Sequence, residues 1–145
     1  MAIAAWTVME RRHINSGAPA ELYVAKRLVE MGHIVSFPFF GKAPYDMIAD
    51  TKLQRVRVQV KTIYKGKTDN GTRWMVDFLK PQRKRYTHAD CDYIIAASTE
   101  FNVCYIFNIE EVKDKRQATF YFDDKPNSNA RNTEWVEGFK ELWFK

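Results

Sequence analysis

Between Arg55 and Tyr64 the chain alternates without a break, with Val56, Val58 and Val60 set against Arg57, Gln59 and Lys61. A two-residue period of this kind is that of a β-strand with one buried face. A helix would scatter the three valines around its axis, so the segment is read as a strand. Gln59 and Lys61 then stand on one face, roughly 7 Å apart. Just upstream, Pro44-Tyr45-Asp46 opens a shorter β segment expected over Tyr45 to Ala49, and Thr51 to Gln54 supplies a tight reversal between the two. Two neighbouring strands thus deliver an acid, an amide and an ammonium to one place.

The flanking segments read as α/β. A helix is expected from about Ala18 to Met31, with Pro19 in its first turn and Gly32 closing it. Its expected apolar stripe is Ala18, Leu22, Ala25, Leu28 and Val29, with Lys26, Arg27 and Glu30 outside. Glu21 lies on the inward side of that stripe, where a carboxylate needs a partner or a metal. Residues 1 to 15 read as a helix or arm to which no chemistry is assigned. Ile34 to Phe40 reads as a first strand, at an edge or ending there because of Pro38. Asn70-Gly71 marks a hairpin, and Thr72 to Phe78 is a fourth strand expected to extend the same sheet. Asn70-Gly71-Thr72 also matches a glycosylation triplet, but the turn explains these residues. Tyr93 to Ala97 and Val103 to Phe107 are apolar strands, Ile109 to Val112 a turn or short helix, and Thr119 to Phe122 an edge strand. A loop over 123–133 leads to an expected C-terminal helix, Glu134 to Phe144, with Trp135, Phe139, Leu142 and Trp143 on one side.

At 145 residues the chain suits one domain, 1–145, and its 46% hydrophobic content argues for a packed core rather than disorder. No apolar run reaches the roughly 20 residues of a membrane span, and Met1 to Met9 lacks signal-peptide features, so a soluble cytoplasmic protein is expected. Cys91, Cys104, His13, His33 and His88 show no zinc spacing, and the two cysteines read as core residues. The net charge of +5 permits a polyanionic partner. Lys65, Lys67, Arg73, Lys80, Arg83, Lys84 and Arg85 fall between positions 65 and 85, interleaved with Tyr64, Trp74 and Tyr86. Such a mixture suits phosphate neutralisation with stacking or groove contacts, and on composition alone it suits a solvated basic face equally well.

Hydrolysing a phosphodiester requires a positioned water, neutralisation of charge at phosphorus and help for the departing oxygen. Mg²⁺ on oxygen ligands supplies much of this, and Mn²⁺ is a possible substitute. Asp46 is the expected central ligand, with the Gln59 amide oxygen, the Val60 carbonyl and Glu21 as further donors. Lys61 would stand near the attacking water or the scissile phosphate. Each has a plainer reading: Asp46 as a turn acid, Gln59 and Lys61 as the wet face of a strand, Glu21 as a first-turn acid favoured by the helix dipole. Asp50 shares the face of Asp46 by alternation and could join the site, but is read first as beginning a turn; Asp77 is open in the same way; His88, Asp90 and Asp92 are metal-ligating types read as residues of a connection.

Glu21, Pro44-Tyr45-Asp46 and Gln59-Val60-Lys61, in this order and on these elements, resemble the PD-(D/E)-x-K nuclease superfamily in its branch near archaeal Holliday junction resolvases. Arg85-Tyr86, Asp92-Tyr93-Ile94-Ile95 and Tyr105-Ile106-Phe107 resemble the pattern that follows the catalytic core there. The resemblance spans about residues 16–112, leaving 113–145 as an extension. It implies a restriction-endonuclease-like core, a mixed β-sheet flanked by helices, and a metal-dependent endonuclease. Gln59 departs from the pattern, because the family's usual residue before x-Lys is an acid. The Gln-x-Lys form is similar to a small group that includes an intron-encoded homing endonuclease. That similarity implies cleavage of double-stranded DNA at a long site by a homo-oligomer, a dimer or tetramer. The alternatives are a resolvase acting on branched DNA and a DNA-binding module on an inactive nuclease fold.

Overall fold

The computed structural model describes residues 17–68 and 71–120. The expected arm over 1–15, the turn residues Asp69 and Asn70, the loop over 123–133 and the helix from Glu134 to Phe144 lie outside the described residues.

Helix α1, Ala18–Glu30, starts with proline in its first turn. It ends where Gly32 takes a φ of +86°, a conformation open to glycine without steric cost. Gly32 N then donates to Val29 O (2.9 Å) and His33 N to Leu28 O (3.1 Å), satisfying carbonyls at the helix end. The buried face is Ala20, Val24, Ala25 and Leu28, which corrects the expected stripe: Leu22 is 66% exposed and Val29 57%. Two overlapping apolar rows run along this helix. The sheet takes the row containing Ala20 and Ala25, whose small side chains permit close approach.

The main sheet has five strands in the order β1-β2-β3-β6-β7. They are β1 Ile34–Ser36, β2 Met47–Asp50, β3 Arg55–Thr62, β6 Tyr93–Ser98 and β7 Val103–Asn108. All neighbours are antiparallel except β3 and β6, which run parallel, so the sheet is mixed. The first strand is shorter than expected, and beyond it Phe37, Phe39 and Phe40 are solvent-exposed around Pro38, which has no N–H for a ladder. Between β2 and β3, Thr51 Oγ1 donates to Gln54 O (2.8 Å) and accepts from Gln54 N (3.0 Å), closing the reversal.

The strand expected to run from Arg55 to Tyr64 is divided. Ile63 N still donates to Ala97 O (2.9 Å), but Tyr64 begins β4, Tyr64–Thr68, in a second sheet. That antiparallel sheet orders as β4-β5-β8, with β5 Gly71–Asp77 and β8 Gln117–Phe120. The sequence led us to expect the hairpin to extend the main sheet; instead it belongs to this second sheet. β2 and β6 already occupy both edges of β3, so a chain leaving its end has no ladder to join there.

Val56, Val58 and Val60 pack under α1 in one core cluster. On the opposite face, Ile94, Ala96 and Tyr105 form a second cluster with Val76, Phe78 and Phe120 of the small-sheet region. β6, covered on both faces, is buried throughout. Phe78 and Phe120 are 2% and 1% exposed, and each such burial contributes about 1.5–3 kcal/mol. Cys91 and Cys104 belong to these clusters, and burial pushes both thiols up to about 12. After β7, the short helix α2, Ile109–Val112, is fixed by a capping box in which the Asn108 side chain accepts from Glu110 N (3.0 Å) and Asn108 N donates to Glu111 (3.2 Å). No described helix is long and apolar enough to cross a membrane.

Candidate active site

Asp46 sits just before β2, stitched to β3 through both its main chain and its side chain. Its N donates to Val58 O (2.9 Å), and its Oδ2 accepts from Val60 N (2.7 Å). This contact fixes the carboxylate between Gln59 and Lys61. Burial raises the Asp46 pKa, and the Val60 hydrogen bond and the Lys61 charge offset that only in part. Glu21, half-buried on α1, is also raised, first by burial and then by the charge of Asp46. Helix and strand thus hold two carboxylates within electrostatic reach of each other, against the preference of both to stay apart.

β3 places Gln59 and Lys61 on the face turned toward the second core cluster, level with Ile94 and Ala96 of β6. Lys61 Nζ donates to Leu79 O (2.9 Å) and lies 5.0 Å from the centroid of the Tyr86 ring. Desolvation holds its pKa below the ordinary lysine range, opposed by the charges of Asp77 and then Asp46. Gln59 Nε2 donates to Val60 O (3.3 Å), which holds the amide beside that carbonyl.

Glu21, Asp46 and Lys61 come together, with Gln59 beside them on β3. Asp77, left open on sequence, joins them from the end of β5, where its Oδ1 accepts from Leu79 N (2.8 Å). No sequence pattern singles it out, because its place beside Lys61 arises from the second sheet folding back. Four other acids are engaged elsewhere. Asp50 pairs with Arg55 (2.9 Å), Asp90 with Lys80 (2.6 Å), Asp92 with Arg57 (3.0 Å), and Glu110 with His88.

The basic run is divided by the fold. Lys65 and Lys67 share a face of the β4–β5 hairpin with Trp74, while Arg73 pairs with Gly66 on the opposite face. Lys80 is bound internally by Asp90 and lies 5.5 Å from the Tyr86 ring. Arg83, Lys84 and Arg85 are exposed on a loop that includes a 3-10 turn, Pro81–Arg83. Tyr86, expected as a stacking aromatic, is 5% exposed and serves instead as an apolar platform beneath two lysines.

Among the described residues, no three acidic, histidine or cysteine side chains cluster as metal ligands. The local donors are two carboxylates, a main-chain carbonyl and an amide oxygen, a hard oxygen set that suits Mg²⁺ better than softer ions. The residues present fit the ion.

A profile of the family described as PD-(D/E)XK endonuclease matches residues 13–142. The chain belongs to the PD-(D/E)XK endonuclease family. Membership gives it the reaction class of a DNA endonuclease. The chain is 31% identical over 107 residues to Protein 5.3 of Escherichia phage T7, an alignment covering 74% of this chain and 88% of the phage protein. Its fold is similar to that of the bacterial homing endonuclease I-Ssp6803I, with a TM-score of 0.66 and 22% identity, covering 79% of this chain and 82% of that one.

Proposed function

We propose that this protein is a Mg²⁺-dependent homing endonuclease that hydrolyses phosphodiester bonds of double-stranded DNA at a specific site. The observation that carries the reading is the hydrogen bond from Val60 N to Asp46 Oδ2, which holds the acid against the strand bearing Gln59 and Lys61. Asp46, Glu21, the Val60 carbonyl and the Gln59 amide oxygen would hold the ion, with Mn²⁺ as a substitute. When bound, the ion supplies Lewis-acid stabilisation of charge on the phosphate oxygens. Lys61 orients the attacking water, in line with the departing 3′ oxygen, or donates to a phosphate oxygen as charge builds there. Its tether to Leu79 O restricts the side chain before substrate arrives, which lowers the cost of ordering it in the reaction.

Arg83, Lys84 and Arg85 contact phosphates, and the hairpin bearing Lys65, Lys67 and Arg73 reaches a groove, where base edges can be read. Lys80, held by Asp90, contributes field rather than direct contact. One chain offers little surface for a long site, so the active species is a symmetric dimer or tetramer. The second reading, a DNA-binding module on an inactive fold, is favoured by Gln59, a neutral amide two residues before Lys61. Cleavage in Mg²⁺ or Mn²⁺ of a library of linear duplexes, compared with a four-way junction, tests these readings. Cutting of a defined linear sequence is expected. Cutting confined to the junction makes the chain a resolvase, and DNA binding without cutting makes it the binding module.

A further inference from the structure

Arg83 and Arg85 of the basic loop, together with Arg116 just before β8, line one cavity of about 150 Å³ whose remaining wall is Leu79. Arg116 is distant in sequence and outside the basic run. It is brought there by the hydrogen bond from Phe78 N to Arg116 O (2.8 Å). The loop is held in a closed form: Leu79 and Arg85 are bridged, Lys80 N donates to Lys84 O (2.8 Å), and Arg83 N donates to Lys80 O (3.0 Å). Gln82 and Arg83 sit at φ values of 71° and 59°, a left-handed conformation that costs non-glycine residues free energy. Among the described residues none of the three guanidinium groups is paired with a carboxylate. Arg85 is anchored further by donating to Lys113 O (3.2 Å).

Three like charges around one small concavity repel each other unless an anion lies between them. The planar fork of arginine matches phosphate oxygens, and the volume exceeds that of a few waters at roughly 30 Å³ each. Leu79 connects this cavity to the chemistry, since it forms the wall here and its carbonyl accepts from Lys61 Nζ (2.9 Å). We propose that the Arg83–Arg85–Arg116 cavity is a subsite that seats one backbone phosphodiester of the DNA close to the phosphate facing Lys61. The proposal rests on the reading of the chain as a DNA endonuclease. It adds Arg116 to the DNA-contacting residues and assigns the three arginines to a single phosphate.

Sharing one phosphate has a measurable signature. The slope of log K against log salt reports the number of phosphates neutralised, at about −0.9 for each. Binding of the full chain to a labelled duplex of roughly 30 base pairs is measured by anisotropy across a potassium chloride series without divalent metal. Arg116→Gln is expected to weaken binding several-fold, and Arg116→Lys to keep the wild-type slope. The triple variant R83Q/R85Q/R116Q is expected to lose about one unit of slope, because one phosphate is released. Arg55→Gln, altering an arginine paired with Asp50, serves as a control that leaves the slope unchanged. All three subsite arginines are exposed, so circular dichroism of the triple variant should match wild type. An unchanged slope in the triple variant overturns the subsite and leaves the nuclease reading standing. A loss of two or three units overturns the sharing, since each arginine would then meet its own phosphate. If the wild-type chain shows no salt-dependent DNA binding, the underlying reading fails and the subsite with it.

Discussion

Lys61 Nζ donates to the main-chain oxygen of Leu79, 2.9 Å away, so the strand that presents the lysine is tied to the first residue of the basic loop. Asp77 binds Leu79 from the other side, accepting from its N–H (2.8 Å). A side chain buried enough to have its pKa lowered is thereby kept in place by one carbonyl, one aromatic ring and two flanking acids.

Replacing Lys61 by methionine preserves the apolar stem and removes the ammonium. Cleavage is expected to fall about 10²–10³-fold, the scale on which a single charge-stabilising donor acts, while the thermal midpoint stays near wild type. Asp77→Asn, which keeps an acceptor for Leu79 N but drops the charge, should lower cleavage less. Single-turnover rates on a cleaved duplex measure both, and an unimpaired Lys61→Met enzyme removes the lysine from the mechanism.

Gln59→Glu places an acid two residues before Lys61. Mg²⁺ affinity by calorimetry is expected to rise several-fold, since the added charge makes the donor set more anionic. A marked loss of metal binding instead would place residue 59 away from the ion.

Glu21 and Asp46 both have folded-state pKa values raised above their ordinary 4.5 and 3.8, led in each case by burial. The folded state then binds more protons than the unfolded one, so stability is greatest below the unfolded pKa and declines as pH rises through the raised value. Glu21→Gln should therefore raise the melting temperature at pH 7 in the absence of metal. The gain should shrink toward zero as pH falls through the carboxylate range, and cleavage should fall with the substitution. Melting curves from pH 3 to pH 8 decide it, and a variant less stable than wild type at pH 7 contradicts the electrostatic account.

Asp92 shows the opposite sign. Burial alone would raise its pKa, but hydrogen bonds from the Arg57 side chain and main-chain N–H (2.7 Å to Oδ2) outweigh that and hold it below 3.8. Its contribution is present above the unfolded pKa and disappears as pH falls through the lower folded value. Asp92→Ala should cost about 2 kcal/mol at pH 7, measured by urea unfolding, because it leaves Arg57 and a strand N–H without their acceptor.

The face of α1 can be checked by paired truncations. Leu28→Ala should cost about 2–5 kcal/mol, whereas Leu22→Ala should stay within about 0.5 kcal/mol, since Leu28 is fully buried and Leu22 is 66% exposed. Equal losses in urea unfolding would restore the stripe read from periodicity.

Strand β3 was legible in the sequence because an unbroken period of two admits one local structure, and it carries Gln59 and Lys61 to one face whatever surrounds it. The turn chemistry of Thr51 to Gln54, the glycine at position 32 and the apolar strands β6 and β7 were equally local, each fixed by residue types within a few positions. The face of α1 was not, because Ala18–Val29 carries two apolar rows and only the sheet beneath it chooses between them. Nor could any local pattern show that β3 ends at Thr62, since that depends on β2 and β6 having taken both its edges. The same fold-back brings Asp77 beside Lys61 and Arg116 beside Arg83 and Arg85, contacts between residues far apart in the chain. The sequence by itself determined that Gln59 and Lys61 stand on one face of one strand. Tertiary structure decided which charges meet, because burial and Coulomb interactions depend on distance in space.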